Sequence, residues 1–154
     1  MARFVRALTD SGFAAGVTSY QDHFPGDGAR EQTTRIVVMV LVAGALVPCI
    51  VDTGAPWCIL HPTLVRPLIG SNGDYRTHLL IRGTRYAGSL HPLSMTLHDE
   101  AYQQHLTVDT TVFVPSLDAD DDWPHPNFIG LDGFLNRIRF AVDPDDNSFY
   151  FGAI

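Results

Sequence analysis

The stretch Leu46-Val47-Pro48-Cys49-Ile50-Val51-Asp52-Thr53-Gly54-Ala55 decides how this chain is to be read. An apolar, strand-forming run delivers a carboxylate, then a hydroxyl, a glycine and a second small residue. An unpaired charge at the end of a buried strand costs several kcal/mol unless it is protonated, paired or hydrogen-bonded. Thr53 brings a hydroxyl that donates and accepts, and Gly54 permits a tight turn or a backbone approach that a Cβ would block. The stretch therefore predicts an aspartate held by local hydrogen bonds where a buried strand ends. A strand entering an Asp-Thr-Gly turn is also ordinary hairpin chemistry, so the surroundings must separate the two readings.

About seventy-five residues further on stands Asn127-Phe128-Ile129-Gly130, followed by Leu131-Asp132-Gly133-Phe134-Leu135, a strand leading into a short helix. An Asp-Thr-Gly-Ala after one apolar strand, matched near the C-terminus by an apolar-apolar-Gly strand and a helix, resembles the catalytic core of the retropepsin-like (retroviral-type, single-lobe) aspartic proteases. The resemblance covers roughly residues 35 to 151, and residues 1–34 fall outside it as a poorly defined N-terminal extension before a protease domain at 35–154. It implies an all-β single lobe, a closed barrel-like sheet with a short C-terminal helix. Two departures concern the flanks: Pro56-Trp57 follows Ala55, and Leu131 stands where retroviral members often carry Arg.

What the resemblance implies for function is aspartic endopeptidase activity, a water activated by two carboxylates that share one proton. The chain carries a single Asp-(Thr/Ser)-Gly, because Asp109-Thr110-Thr111 lacks the glycine and Asp132-Gly133 lacks the hydroxyl residue. The second carboxylate must then come from another copy, which makes the active species a symmetric homodimer. By resemblance Asp52 is the catalytic carboxylate, Thr53 its support across the dimer axis and Gly54 the turn that lets two such loops meet. Val51, Ala55, Phe128 and Ile129 are expected at the substrate cleft. The hairpin tip Arg82, Gly83, Thr84 and Arg85 is expected to act as a flap that binds an extended peptide by strand addition. No cofactor is required. The same fold could also serve as a non-proteolytic binding or dimerisation module, since fold does not dictate activity.

Composition sets the frame. With 154 residues, 45% hydrophobic and 18% charged, the chain suits one globular domain. A net charge of −7 argues against a nucleic-acid partner, which needs clustered Lys and Arg. The unbroken apolar run of residues 36–51 is sixteen residues long and holds Gly44 and Pro48. It is short of the roughly twenty residues that a membrane helix needs, and it reads as two strands instead. The N-terminus lacks the apolar core of an export signal, so the expected compartment is the cytosol.

Other chemistries find no support. Cys49 and Cys58 fit neither a zinc nor a redox spacing and read as buried thiols. Asp118, Asp120 and Asp122 mimic a calcium loop, but Trp123 and Ile129 occupy the places of its Gly and Glu. The seven histidines make no metal motif.

The remaining chain reads mostly as strands. Residues 13–20 alternate weakly, residues 35–42 and 45–51 form a hairpin about Ala43-Gly44, and a short helix starts at His61-Pro62. A turn follows at residues 71–74, then strands over 78–82 and 85–97 joined at Gly83-Thr84. Residues 104–114 alternate clearly, and 137–142 and 149–151 make a closing hairpin.

Overall fold

A computed structural model describes residues 7–25, 35–70, 75–101, 103–118 and 120–154. The predicted turn at 71–74 lies outside the described residues. Among the described residues the strands are β1 (Gly16–Ser19), β2 (Val37–Val42), β3 (Ala45–Val51), β4 (Cys58–Ile59) and β5 (Tyr75–Ile81). They continue with β6 (Thr84–His98), β7 (His105–Pro115), β8 (Phe128–Ile129), β9 (Ile138–Asp143) and β10 (Ser148–Ala153).

Seven of these strands form one sheet in the order β2-β3-β8-β4-β7-β6-β5, and a β2–β6 pairing at Leu41↔Thr96 draws its ends together into a barrel-like closure. The second sheet is β1-β10-β9. Gly16–Ser19 thus pairs along β10, and Tyr20 is buried in the core. The architecture is all-β.

The apolar run of β2 and β3 is unbroken because both faces of the large sheet are covered. Successive side chains point to opposite faces. Val38, Val40, Cys49, Cys58, Val112 and Ile129 face the three-stranded sheet, meeting Ile138, Phe149 and Phe151. Their neighbours Val37, Ile50, Ile59, Phe113 and Phe128 join Leu79, Ile81 and Trp123 in a second cluster beneath the β5–β6 hairpin. Phe113 is fully buried there, and a Phe of this kind is worth about 3–5 kcal/mol against Ala.

Both tight hairpins use two-residue turns with positive φ at each position, which match the strand twist. Ala43 and Gly44 have φ of 47° and 83°, and Arg82 and Gly83 have 48° and 84°. The second turn lies one residue earlier than the sequence predicts, because Gly83 supplies its second central position and Thr84 already pairs with Ile81. Pro92 lies within the long strand β6, and among the described residues the pairing with β5 ends before it, with Tyr75 opposite Leu90.

Pro62–Val65 forms one helical turn with His61 as its cap, continued by a 3-10 turn at Arg66–Leu68. The C-terminal helical segment starts as a hydrogen-bonded turn over residues 131–134 and closes as a 3-10 turn at Leu135–Arg137. Phe134, at φ −148°, is not helical, so the predicted helix is split.

Cys49 and Cys58 are both free and buried. Burial pushes the Cys58 thiol up to about 12 and raises that of Cys49 as well, helped by the neighbouring Cys58. Above about pH 9 the unfolded chain therefore releases thiol protons that the native chain keeps, so this stabilisation, complete below the unfolded pKa, is lost as pH rises towards 12. The expected loss is up to about 1.4 kcal/mol per pH unit and thiol. Urea midpoints between pH 8.5 and about 10.5 should fall more steeply for this protein than for its Cys49→Ala/Cys58→Ala variant; parallel slopes would contradict the assignment.

Candidate functional site

The loop after β3 is shaped by its own carboxylate. Asp52 is half-buried, and its Oδ1 accepts a hydrogen bond from the Gly54 N–H at 2.9 Å. The Ala55 N–H donates to the Asp52 carbonyl at 3.2 Å, closing a turn with Thr53 exposed at its tip. A Cβ on Gly54 would come within 3.2 Å of Asp52 Oδ1, so the glycine lets the carboxylate fold back on the chain.

That loop is anchored from beneath by β8, which runs parallel to β3 with Ile50 opposite Phe128 and Val51 opposite Ile129. The Asp52 N–H donates to the Ile129 carbonyl at 3.1 Å, and the Val51 N–H to the Ile36 carbonyl at 2.8 Å. Beyond β8, the Leu131 N–H reaches the Ala55 carbonyl at 2.7 Å and the Gly133 N–H the Pro56 carbonyl at 3.0 Å. Gly130 lies directly under this contact: a Cβ there would stand 2.3 Å from the Trp57 carbonyl oxygen and 2.6 Å from that of Ala55.

Asn127, which heads the Asn127-Phe128-Ile129-Gly130 stretch and has no role assigned from sequence, extends the short β8. Its side chain is buried; Oδ1 accepts from the His61 N–H at 2.8 Å, while Nδ2 donates to the Pro48 carbonyl at 3.0 Å. Pro48 lies on β3 and His61 just after β4, so one amide ties together the strands on both sides of β8.

A cleft of about 240 Å³ opens above the loop. Of the predicted residues, Asp52, Gly54, Ala55, Arg82 and Phe128 line it, together with Arg35, Pro56, Ile59, Leu79, Leu80 and Ile81. Thr53, Gly83, Thr84 and Arg85 are exposed beside it without forming its wall. Val51 and Ile129 face the other way: Ile129 is fully buried in the main core and Val51 packs against that core. Period two explains the split, since Ile50, Asp52 and Phe128 share the cleft side. The same alternation in β5, with Leu79 and Ile81 inward, could have identified those two from sequence; Arg35 carried no such signal.

The hairpin is braced by the loop that precedes β8. Tyr86 of β6 meets Trp123 edge-on at 5.1 Å between ring centroids and His125 at 5.3 Å, and its hydroxyl lies 2.9 Å from His125 Nε2. Desolvation lowers the His125 pKa, with a further push from the Arg82 guanidinium. Among the described residues no group of three metal-ligating side chains comes together. Nor is any described helix long and apolar enough to cross a membrane.

A crystal structure of a retropepsin-like aspartic protease from Rickettsia conorii resembles this chain with a TM-score of 0.53 and 17% sequence identity, over 90% of this chain and 92% of that one. The chain has the retropepsin-like single-lobe fold. No protein-family model matches it, and neither does any curated protein.

The Gly130 contact is directly testable. Gly130→Ala should destabilise the protein by about 2–3 kcal/mol or more, because the new methyl meets backbone carbonyls that cannot swing aside. Gly54→Ala, which meets only a side-chain oxygen, should cost under about 1 kcal/mol. Urea unfolding of both variants checks the order; equal costs would mean that the loop yields as a whole.

Proposed function

We propose that this protein is an aspartic endopeptidase whose active site forms between two copies of the chain. The observation that carries the reading is the placement of Asp52. Its carboxylate is tied to the Gly54 N–H, stands at the floor of a cleft and shares that cleft with the hairpin tip, in a single lobe of retropepsin-like fold.

One carboxylate cannot divide the two roles of the reaction. One group must take a proton from water while the other donates a hydrogen bond to the scissile carbonyl. Two Asp52 side chains brought together on a two-fold axis would share a single proton, because like charges so close cannot both ionise. The exposed Thr53 would steady the neighbouring loop. Phe128 and Ala55 offer apolar wall to a substrate side chain, while Val51 and Ile129 act through the backbone that holds Asp52. The hairpin with Arg82, Gly83, Thr84 and Arg85 would cover the bound peptide, exclude water and pair with its backbone. The reaction needs no metal or cofactor. A cytosolic setting suits two unpaired thiols.

Asp52→Asn should abolish cleavage of a mixed peptide library while leaving the fold intact, since an amide neither shares the proton nor serves as a base. Wild-type cleavage should be strongest in mildly acidic solution, decline towards alkaline pH as the second carboxyl ionises, and be blocked by pepstatin. Undiminished cleavage by Asp52→Asn, or a rate still climbing above neutrality, would remove Asp52 from the chemistry. A protein with no cleavage at any pH would be a binding module on this fold.

A further inference from the structure

The β5–β6 hairpin outruns the strand that supports it. Pairing of β6 with β7 begins only at Gly88 opposite Pro115, and the Ser116 N–H ends this edge on the Ala87 carbonyl at 2.8 Å. Beyond that point the rungs Leu79↔Tyr86, Leu80↔Arg85 and Ile81↔Thr84 form, among the described residues, a two-stranded overhang. Its residues Leu79, Leu80 and Ile81 line the cleft above Asp52. Two strands by themselves are marginally stable in water, so side-chain contacts must set where the overhang lies. Leu79 and Ile81 turn inward onto a buried apolar cluster, a contact without preferred direction. Tyr86 supplies the direction. It stands at the root of the overhang, opposite Leu79, with its hydroxyl 2.9 Å from His125 Nε2. Its ring meets Trp123 and His125 edge-on, and those two rings meet each other at 4.9 Å between centroids.

We propose that Tyr86 and His125 are positioning residues for peptide binding: their hydrogen bond, seated on Trp123, is a latch that holds the root of the hairpin over the cleft and leaves residues 80–85 to move as its cover. The inference rests on the proposed peptide-cleaving site and adds the contact that places its cover. A hydrogen bond fixes distance and angle, which apolar packing does not. The latch is also built to release. Trp123 Nε1 and His125 Nδ1 are both buried in it and make no hydrogen bond among the described residues. Buried polar atoms normally have a partner. Opening the latch returns these two to water, which offsets the loss of the Tyr86 bond. The closed and open positions of the hairpin are thereby brought close in free energy, as a cover that admits and then holds a peptide requires.

Amide hydrogen exchange reads the latch in the full chain without any ligand. Tyr86→Phe keeps the ring and removes only the hydroxyl. Amides of residues 79–86 should exchange roughly three- to tenfold faster in this variant, while those of residues 37–51 keep their wild-type rates. His125→Phe, which keeps a ring without the nitrogen, should act alike, and the double variant should match either single one, because one bond is lost in all three. Hairpin exchange as slow as in wild type, effects that multiply in the double variant, or loss of protection spread equally over residues 37–51 would each overturn the latch. Peptide cleavage supplies the second arm. Tyr86→Phe should raise KM several-fold and lower kcat by less, since the substrate must now order its own cover. An unchanged KM beside faster hairpin exchange overturns the positioning role and leaves proteolysis standing. Absence of cleavage by the wild-type protein overturns proteolysis, and exchange alone then decides the latch.

Discussion

The structure depends on the insertion of β8 between β3 and β4. Only two residues, Phe128 and Ile129, make that central strand, yet among the described residues β3 and β4 are joined into one sheet through it. So short a pairing needs reinforcement, and it has three kinds. The Asn127 side chain carries the hydrogen bonding one step further on both sides, to Pro48 and His61. Gly130 admits the Ala55 and Trp57 carbonyls to a distance no other residue allows. The Asp52 N–H completes the ladder on the Ile129 carbonyl. The Asp52 loop is therefore fixed at its base by long-range contacts and shaped at its tip by its own side chain.

That division explains what could be read from sequence. Alternation and turn chemistry are local, so the β2–β3, β5–β6 and β9–β10 hairpins were legible, with one tip displaced by a residue because Arg82 accepts a left-handed conformation. The parallel seating of Phe128-Ile129 beside Ile50-Val51 was reachable only through resemblance to a known family, since nothing in a two-residue strand announces its neighbours. The pairing of Gly16–Ser19 with β10 has the same non-local origin, and the weak alternation of residues 13–20 gave only its existence.

The site was legible in part for a related reason. Asp52, Thr53, Gly54 and Ala55 form a contiguous motif, and its internal hydrogen bond follows from residue type alone. Opposite faces of a strand separate Phe128, on the cleft, from Ile129, in the core. Arg35, Ile59 and Leu80 reach the cleft from distant parts of the chain, and no spacing marks them.

The central claim is that one chain supplies half of a catalytic site. Subunit mixing tests it most directly. Wild-type protein is combined with increasing amounts of Asp52→Asn under conditions that allow exchange, and peptide cleavage is followed at constant total protein. Random pairing into a two-fold dimer leaves intact dyads only in wild-type pairs, so activity per total protein should follow the square of the wild-type fraction. Activity that falls only in direct proportion to that fraction, with exchange confirmed, would show that each chain acts alone and would contradict the account.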